Sequence, residues 1–188
     1  MGLNSLNVAN RPELRKMSDL SLTNVRHLEA AQGWLGLGNW REARAELANI
    51  PAELQSHPDV LQVQWAIHAA ANEWESAAEV AEAFRNARPD SPFGFVHLAY
   101  ALHEMKRTRE AQDVLLPVVD KFRDEFIIRY NLACYACQLG DIEGAWGWLE
   151  KSMALTDLDE VREMALNDPD LEPLRTRIKK SWLKQSEE

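Results

Sequence analysis

Apolar residues through the middle of the chain recur at spacings of three and four, as in Leu98 and Leu102, or Leu132, Ala133 and Ala136. That is the period of helices with one buried face, not the alternation of strands. Four related phrases punctuate the pattern: GNWREARAEL from Gly38, NEWESAAEVA from Asn72, KRTREAQDVL from Lys106 and GDIEGAWGWL from Gly140, each starting 34 residues after the last. Three columns keep that register: Ala43, Ala77, Ala111, Ala145; then Ala31, Trp65, Ala99, Ala133; then Leu47, Ala81, Leu115, Leu149. Three columns in one register without a gap mark an internal repeat. The unit reads as helix–turn–helix, predicting helices at roughly 23–36, 40–50, 58–71, 74–87, 92–104, 108–121, 126–138 and 142–154. Pro58 and Pro92 suit helix starts, whereas Pro117 falls inside the sixth and predicts a kink or early stop there.

Small residues stand at the helix crossings (Ala31/Ala43, Ala99/Ala111, Ala133/Ala145), aromatics follow the internal turn (Trp40, Trp74), and Pro89 lies at an inter-repeat corner. With these the chain resembles the tetratricopeptide-repeat (TPR) family over about residues 24–175. NLACYACQLGDIEGAW (Asn131–Trp146), followed by NDPDLEPLR (Asn167–Arg175), is similar to the closing repeat of small bacterial members. The resemblance implies an all-α fold, a right-handed α-solenoid of about four 34-residue repeats with a C-terminal capping helix. The expected domains are an N-terminal arm over 1–20 and a repeat domain over 21–188, with units near 24–57, 58–91, 92–125 and 126–159 and a capping segment over 160–188. Trp65 departs from the pattern, standing where the family has a small residue; Ala81 across the interface predicts an exchange of volume. Gly144 and Gly147 weaken the eighth helix by up to ~1 kcal/mol each relative to Ala.

A repeat array exposes an apolar face at each end and needs caps. Leu171, Leu174, Ile178 and Trp182 share one face of a helix expected after Asp168–Pro169, with Arg175, Arg177, Lys179, Lys180 and Lys184 opposite. The formal charge of −9 therefore divides into +1 over residues 170–188 and −10 over the remainder. Such an acidic balance argues against nucleic acid, whose binders are basic. No apolar run is long enough to span a bilayer, no leader-like stretch opens the chain, and Leu6 stands where myristoylation needs Ser or Thr. Met17 is a candidate internal start. A cytoplasmic protein without membrane partners is the expectation.

In the resembled family the first helix of each repeat lines a concave groove. The mapped columns give candidate binding residues Glu29 and Gln32, Gln62, then Phe93, His97, Tyr100 and His103, then Tyr130 and Asn131. None of the mapped positions is Lys or Arg, which disfavours the clamp that family members use for acidic chaperone C-termini. Glu29, Asp59 and Glu104 with aromatic anchors predict a neutral or basic segment instead. The chemical alternative is a thiol or metal site at Cys134, Cys137 and His103. Against it, Cys-x-x-Cys lies mid-helix, where small buried thiols are the commoner outcome. Phosphate-loop, His-Glu-x-x-His and Gly-x-Ser-x-Gly signatures are missing. The expectation is a non-catalytic adaptor or scaffold with a protein or peptide partner and no cofactor. Self-association, including a homodimer, stays open as the alternative.

Overall fold

The computed structural model describes residues 20–185. The expected N-terminal arm, apart from Leu20, lies outside them, as does Met17. Among the described residues there are ten α-helices and no strand: α1 (Leu22–Gly36), α2 (Trp40–Leu47), α3 (Pro58–Ala70), α4 (Trp74–Ala87), α5 (Phe93–Glu104), α6 (Thr108–Leu115), α7 (Phe126–Gln138), α8 (Ile142–Met153), α9 (Leu158–Asn167) and α10 (Arg175–Gln185). None of these helices is long and apolar enough to cross a membrane.

Helices α1/α2, α3/α4, α5/α6 and α7/α8 form packed pairs. Each pair is joined by a turn whose central residue has positive φ: Gly38 at 73°, Asn72 at 57°, Lys106 at 65° and Gly140 at 86°. The repeat thus extends to the backbone, since these four positions share the 34-residue register. Left-handed backbone suits Gly and tolerates Asn, but an ordinary side chain is strained there, so Lys106 is the misfit. The helices that follow open unequally. Asn39 and Asp141 accept from the backbone N–H groups of Glu42 and Gly144, whereas α4 and α6 begin without a side-chain cap.

Two helices stop short of their predicted ends. Helix α6 ends at Leu115 and passes into a 3-10 turn, Leu116–Val118. Pro117 has no N–H to continue the ladder, and its ring clashes with the preceding turn. Helix α2 ends at Leu47, where the Asn49 amide donates to the carbonyls of Ala45 and Glu46 and competes with further helix.

The alanine columns lie at the helix crossings. Ala31, Ala43, Ala77, Ala99, Ala111, Ala133 and Ala145 are wholly buried, so the paired backbones approach closely. Between pairs, Gly94 does the same work, because a Cβ there would come within 2.6 Å of the Arg85 backbone on α4. Buried apolar residues form two clusters, one from Leu20 to Ile67 and one from Trp65 to Ile178, which divide at α3. Trp65 is buried, but its ring contacts are with Phe93, His97 and Tyr100 of α5. The irregular volume is thus absorbed by the next repeat's first helix, not only opposite Ala81. Trp34, by contrast, is 36% exposed.

The C-terminal end holds more helix than the sequence suggests, since α9 fills a stretch expected to carry one or two turns. A 3-10 segment, Pro169–Leu174, leads into α10. Leu171, Leu174 and Ile178 are buried as expected; the surroundings of Trp182 and Lys184 lie outside the described residues. Arg177 lies over the buried Trp146 ring at 4.4 Å and pairs with Glu143 at 2.9 Å. Trp148, on the other side of α8, is half-buried under Lys151.

Candidate functional site

The candidate binding residues sit on α1, α3, α5 and α7, and the fold separates them into three groups. Glu29, Gln32 and Gln62 are exposed on α1 and α3. Their carboxylate and amide groups are open to solvent.

Phe93, His97 and Tyr100 belong to an aromatic cluster at the α3–α5 junction. Four residues apart on α5, Phe93 and His97 stack at 3.8 Å between centroids, and Nδ1–H of His97 donates to the Phe93 carbonyl at 2.8 Å. The Trp65 ring meets His97 perpendicularly at 4.1 Å. Its buried indole N–H finds no hydrogen-bond acceptor among the described residues. Burial between these rings pushes the His97 imidazolium down to about 4, opposed only by its bond to the carbonyl. The imidazole is therefore neutral at physiological pH and acts as one more flat packing surface. Tyr100 lies beside both Trp65 (6.3 Å) and Trp74 (5.7 Å). Its hydroxyl lies in the field of Glu104, Asp168 and Asp170; burial first, and these carboxylates second, raise the phenol above its ordinary range. The polar edge of this cluster is thus electronegative.

The third group is closed. His103, Tyr130 and Asn131 are buried, the first two bonded to the segment that follows α9. Tyr130 donates its hydroxyl to Asp168 at 2.8 Å, and the Cys134 thiol reaches the same oxygen at 3.5 Å. Asp168 also accepts from the Asp170 backbone N–H, fixing the turn. Asp170 Oδ2 lies 2.9 Å from His103 Nε2, and Gln138 donates to the Asp170 carbonyl. As they stand, these side chains hold the C-terminal segment against α5 and α7 and offer little surface to an incoming molecule. Asp168 and Asp170 were not among the candidate residues. The only sequence signal for them was the NDPDLEPLR stretch, which has no periodicity to show which helix it covers.

Cys134 and Cys137 are free, buried thiols. Burial raises both above the ordinary thiol range, and the nearby Asp168 and Asp170 carboxylates raise them further, which makes them poor nucleophiles. His103 is already occupied at both ring nitrogens, by Asp170 and by Thr108 Oγ1 at 3.0 Å. Among the described residues no group of three or more His, Cys, Asp or Glu is arranged to hold a metal ion.

No family model and no curated protein matches the chain. Solved structures do. TTC0263, a TPR protein of Thermus thermophilus, superposes with a TM-score of 0.65 at 16% identity, covering 85% of this chain and 99% of its own. MamA gives 0.64 at 15% identity, covering 86% and 89%. YrrB, another TPR protein, gives 0.56 at 11% identity, covering 82% and 84%. At such identities the agreement is one of architecture, and it coincides with the 34-residue register and the buried alanine columns. The chain has the tetratricopeptide-repeat fold.

Proposed function

We propose that the chain is a non-catalytic protein-interaction module that holds a neutral or basic segment of a partner along the first helices α1, α3 and α5. The observation that carries this reading is Tyr100, a half-buried aromatic anchor with its hydroxyl against Glu104 and near Asp168 and Asp170. An apolar ring ending in negative charge favours an apolar side chain followed by Lys or Arg. Glu29, Gln32 and Gln62 extend the stripe with exposed polar groups and no cation. YrrB, of similar fold, is described as having an unusual peptide-binding site. The proposed site is narrower than the sequence implied, because Tyr130 and His103 are bonded to the C-terminal segment and Asn131 is buried.

Affinity capture from native lysate, using the full chain and a Glu29→Ala/Gln62→Ala/Tyr100→Ala variant, tests the assignment. A protein retained by the first and lost by the second, with helicity unchanged by circular dichroism, is the expected result. Identical retained sets would sink it.

A further inference from the structure

Helix α5 has a second open face. Phe95, Leu98, Leu102 and the following Met105 point away from the Phe93–His97–Tyr100 stripe, since residues two apart on a helix diverge by about 200°. With Val114 of α6 they floor a groove of about 800 Å³ flanked by α4 and α6. Phe95, Met105 and Val114 are only half-buried, so the floor is incompletely covered.

The walls are acidic. Glu75, Glu79 and Glu82 come from α4, Glu110 and Asp113 from α6; Lys121 lies over the Phe95 ring at 5.7 Å, and among the lining residues Arg85 and Arg107 offset the acids. Those two cations are already engaged, Arg85 with Glu82 at 2.8 Å and Arg107 with Glu110 at 2.6 Å. Glu75, Glu79 and Asp113 make no ion pair among the described residues. Negative charge gathered on both walls of an apolar trough is unfavourable by itself and is relieved by a cationic occupant.

We infer that this groove is a second docking surface, distinct from the α1–α3–α5 stripe, for a cationic amphipathic segment of another protein. Large apolar side chains of the segment rest on Phe95, Met105 and Val114, and its Lys or Arg residues face Glu75, Glu79 and Asp113. Acidic segments, nucleic acid and anionic lipid are repelled by the same walls. Helix α10 of a second copy fits poorly. Its cations Lys179 and Lys180 are exposed, but Leu174 and Ile178 are already buried against its own repeats and are not free to meet the floor.

The test is fluorescence anisotropy with a labelled short amphipathic peptide of Leu and Lys in helical spacing, beside a twin carrying Glu for every Lys. The full chain should bind the lysine peptide, weakening with salt, and leave the glutamate peptide free. Glu75→Gln/Glu79→Gln/Asp113→Asn should weaken binding by roughly tenfold, the loss of three exposed pairs. Ala78→Trp, which fills the groove without altering charge, should also reduce it. Thermal melts confirm that each variant is folded. Lysine-peptide binding untouched by both Ala78→Trp and the triple variant, or failure of the full chain to bind it at low salt, overturns the inference. Loss on Tyr100→Ala alone would assign cationic segments to the proposed stripe and equally overturn this one.

Discussion

His103 Nε2 and Asp170 Oδ2 lie 2.9 Å apart although 67 residues separate them in sequence. The carboxylate can only accept, so Nε2 donates to it, and Nδ1 lies 3.0 Å from the Thr108 hydroxyl. This bond, with Tyr130–Asp168, ties the C-terminal segment to two different repeats. Asp170→Ala leaves a buried imidazole N–H without its partner and should cost about 1–3 kcal/mol. The same change should speed labelling of Cys134, which is shut away beneath that segment, by a small thiol reagent. A labelling rate equal to wild type would mean that the bond does not hold the segment down.

Stability should fall as the solution is acidified through the range set by His97. Its folded value of about 4 lies below the ordinary 6.5. Between those values the unfolded chain binds the proton and the folded one refuses it, so stability is complete above about 6.5 and declines as pH drops toward 4. The ring keeps a fringe of exposure, which limits the effect to roughly 1–3 kcal/mol. His97→Phe keeps a flat ring against Phe93 and Trp65 and lacks the proton site. The stability difference between the two proteins, from urea titrations, should therefore vary across this pH window and stay constant above it.

Lys106 occupies a left-handed turn position that two sister repeats fill with glycine. Relief of that strain outweighs the extra freedom Gly gains in the unfolded chain, so Lys106→Gly should stabilise by about 0.5–1 kcal/mol. A melting temperature two or so degrees higher is the expected readout. An unchanged or lower one would show that the lysine is at ease there.

Gly94→Ala should do the opposite. The added methyl meets the main chain of Arg85, not a yielding side chain, so α4 and α5 must separate. Overpacking of this kind costs about 1–3 kcal/mol. The midpoint of urea unfolding should shift down with its slope preserved.

The architecture was readable because one constraint recurs. Wherever two helices of a pair cross, the backbone leaves room only for Ala, as at Ala43, Ala77, Ala111 and Ala145, and the period follows from that. Pro117 likewise announced the end of α6 by local chemistry alone. The candidate site was half readable. Tyr100 and Gln62 remain on open or partly open surfaces, but the burial of Tyr130 depends on Asp168, 38 residues away, in a segment outside the repeat register. Trp65 was visible as an anomaly, yet its partners lie on the next repeat's helix, which no column of its own could reveal. Gly94 passed unnoticed because close approach between helices leaves no trace in hydrophobic spacing.

The division of the core at α3 sets an order for events that the repeat pattern would make uniform. Helices α1 and α2 rest on the smaller cluster, which α3 joins through Val60, Val63 and Ile67, whereas buried residues of α4 through α8 share one larger cluster closed off by the C-terminal segment. In a nearest-neighbour array the free energy of opening is local. Denaturant or mechanical tension therefore peels the first pair away while the later helices stay joined, so the chain behaves as a firm body with one detachable arm.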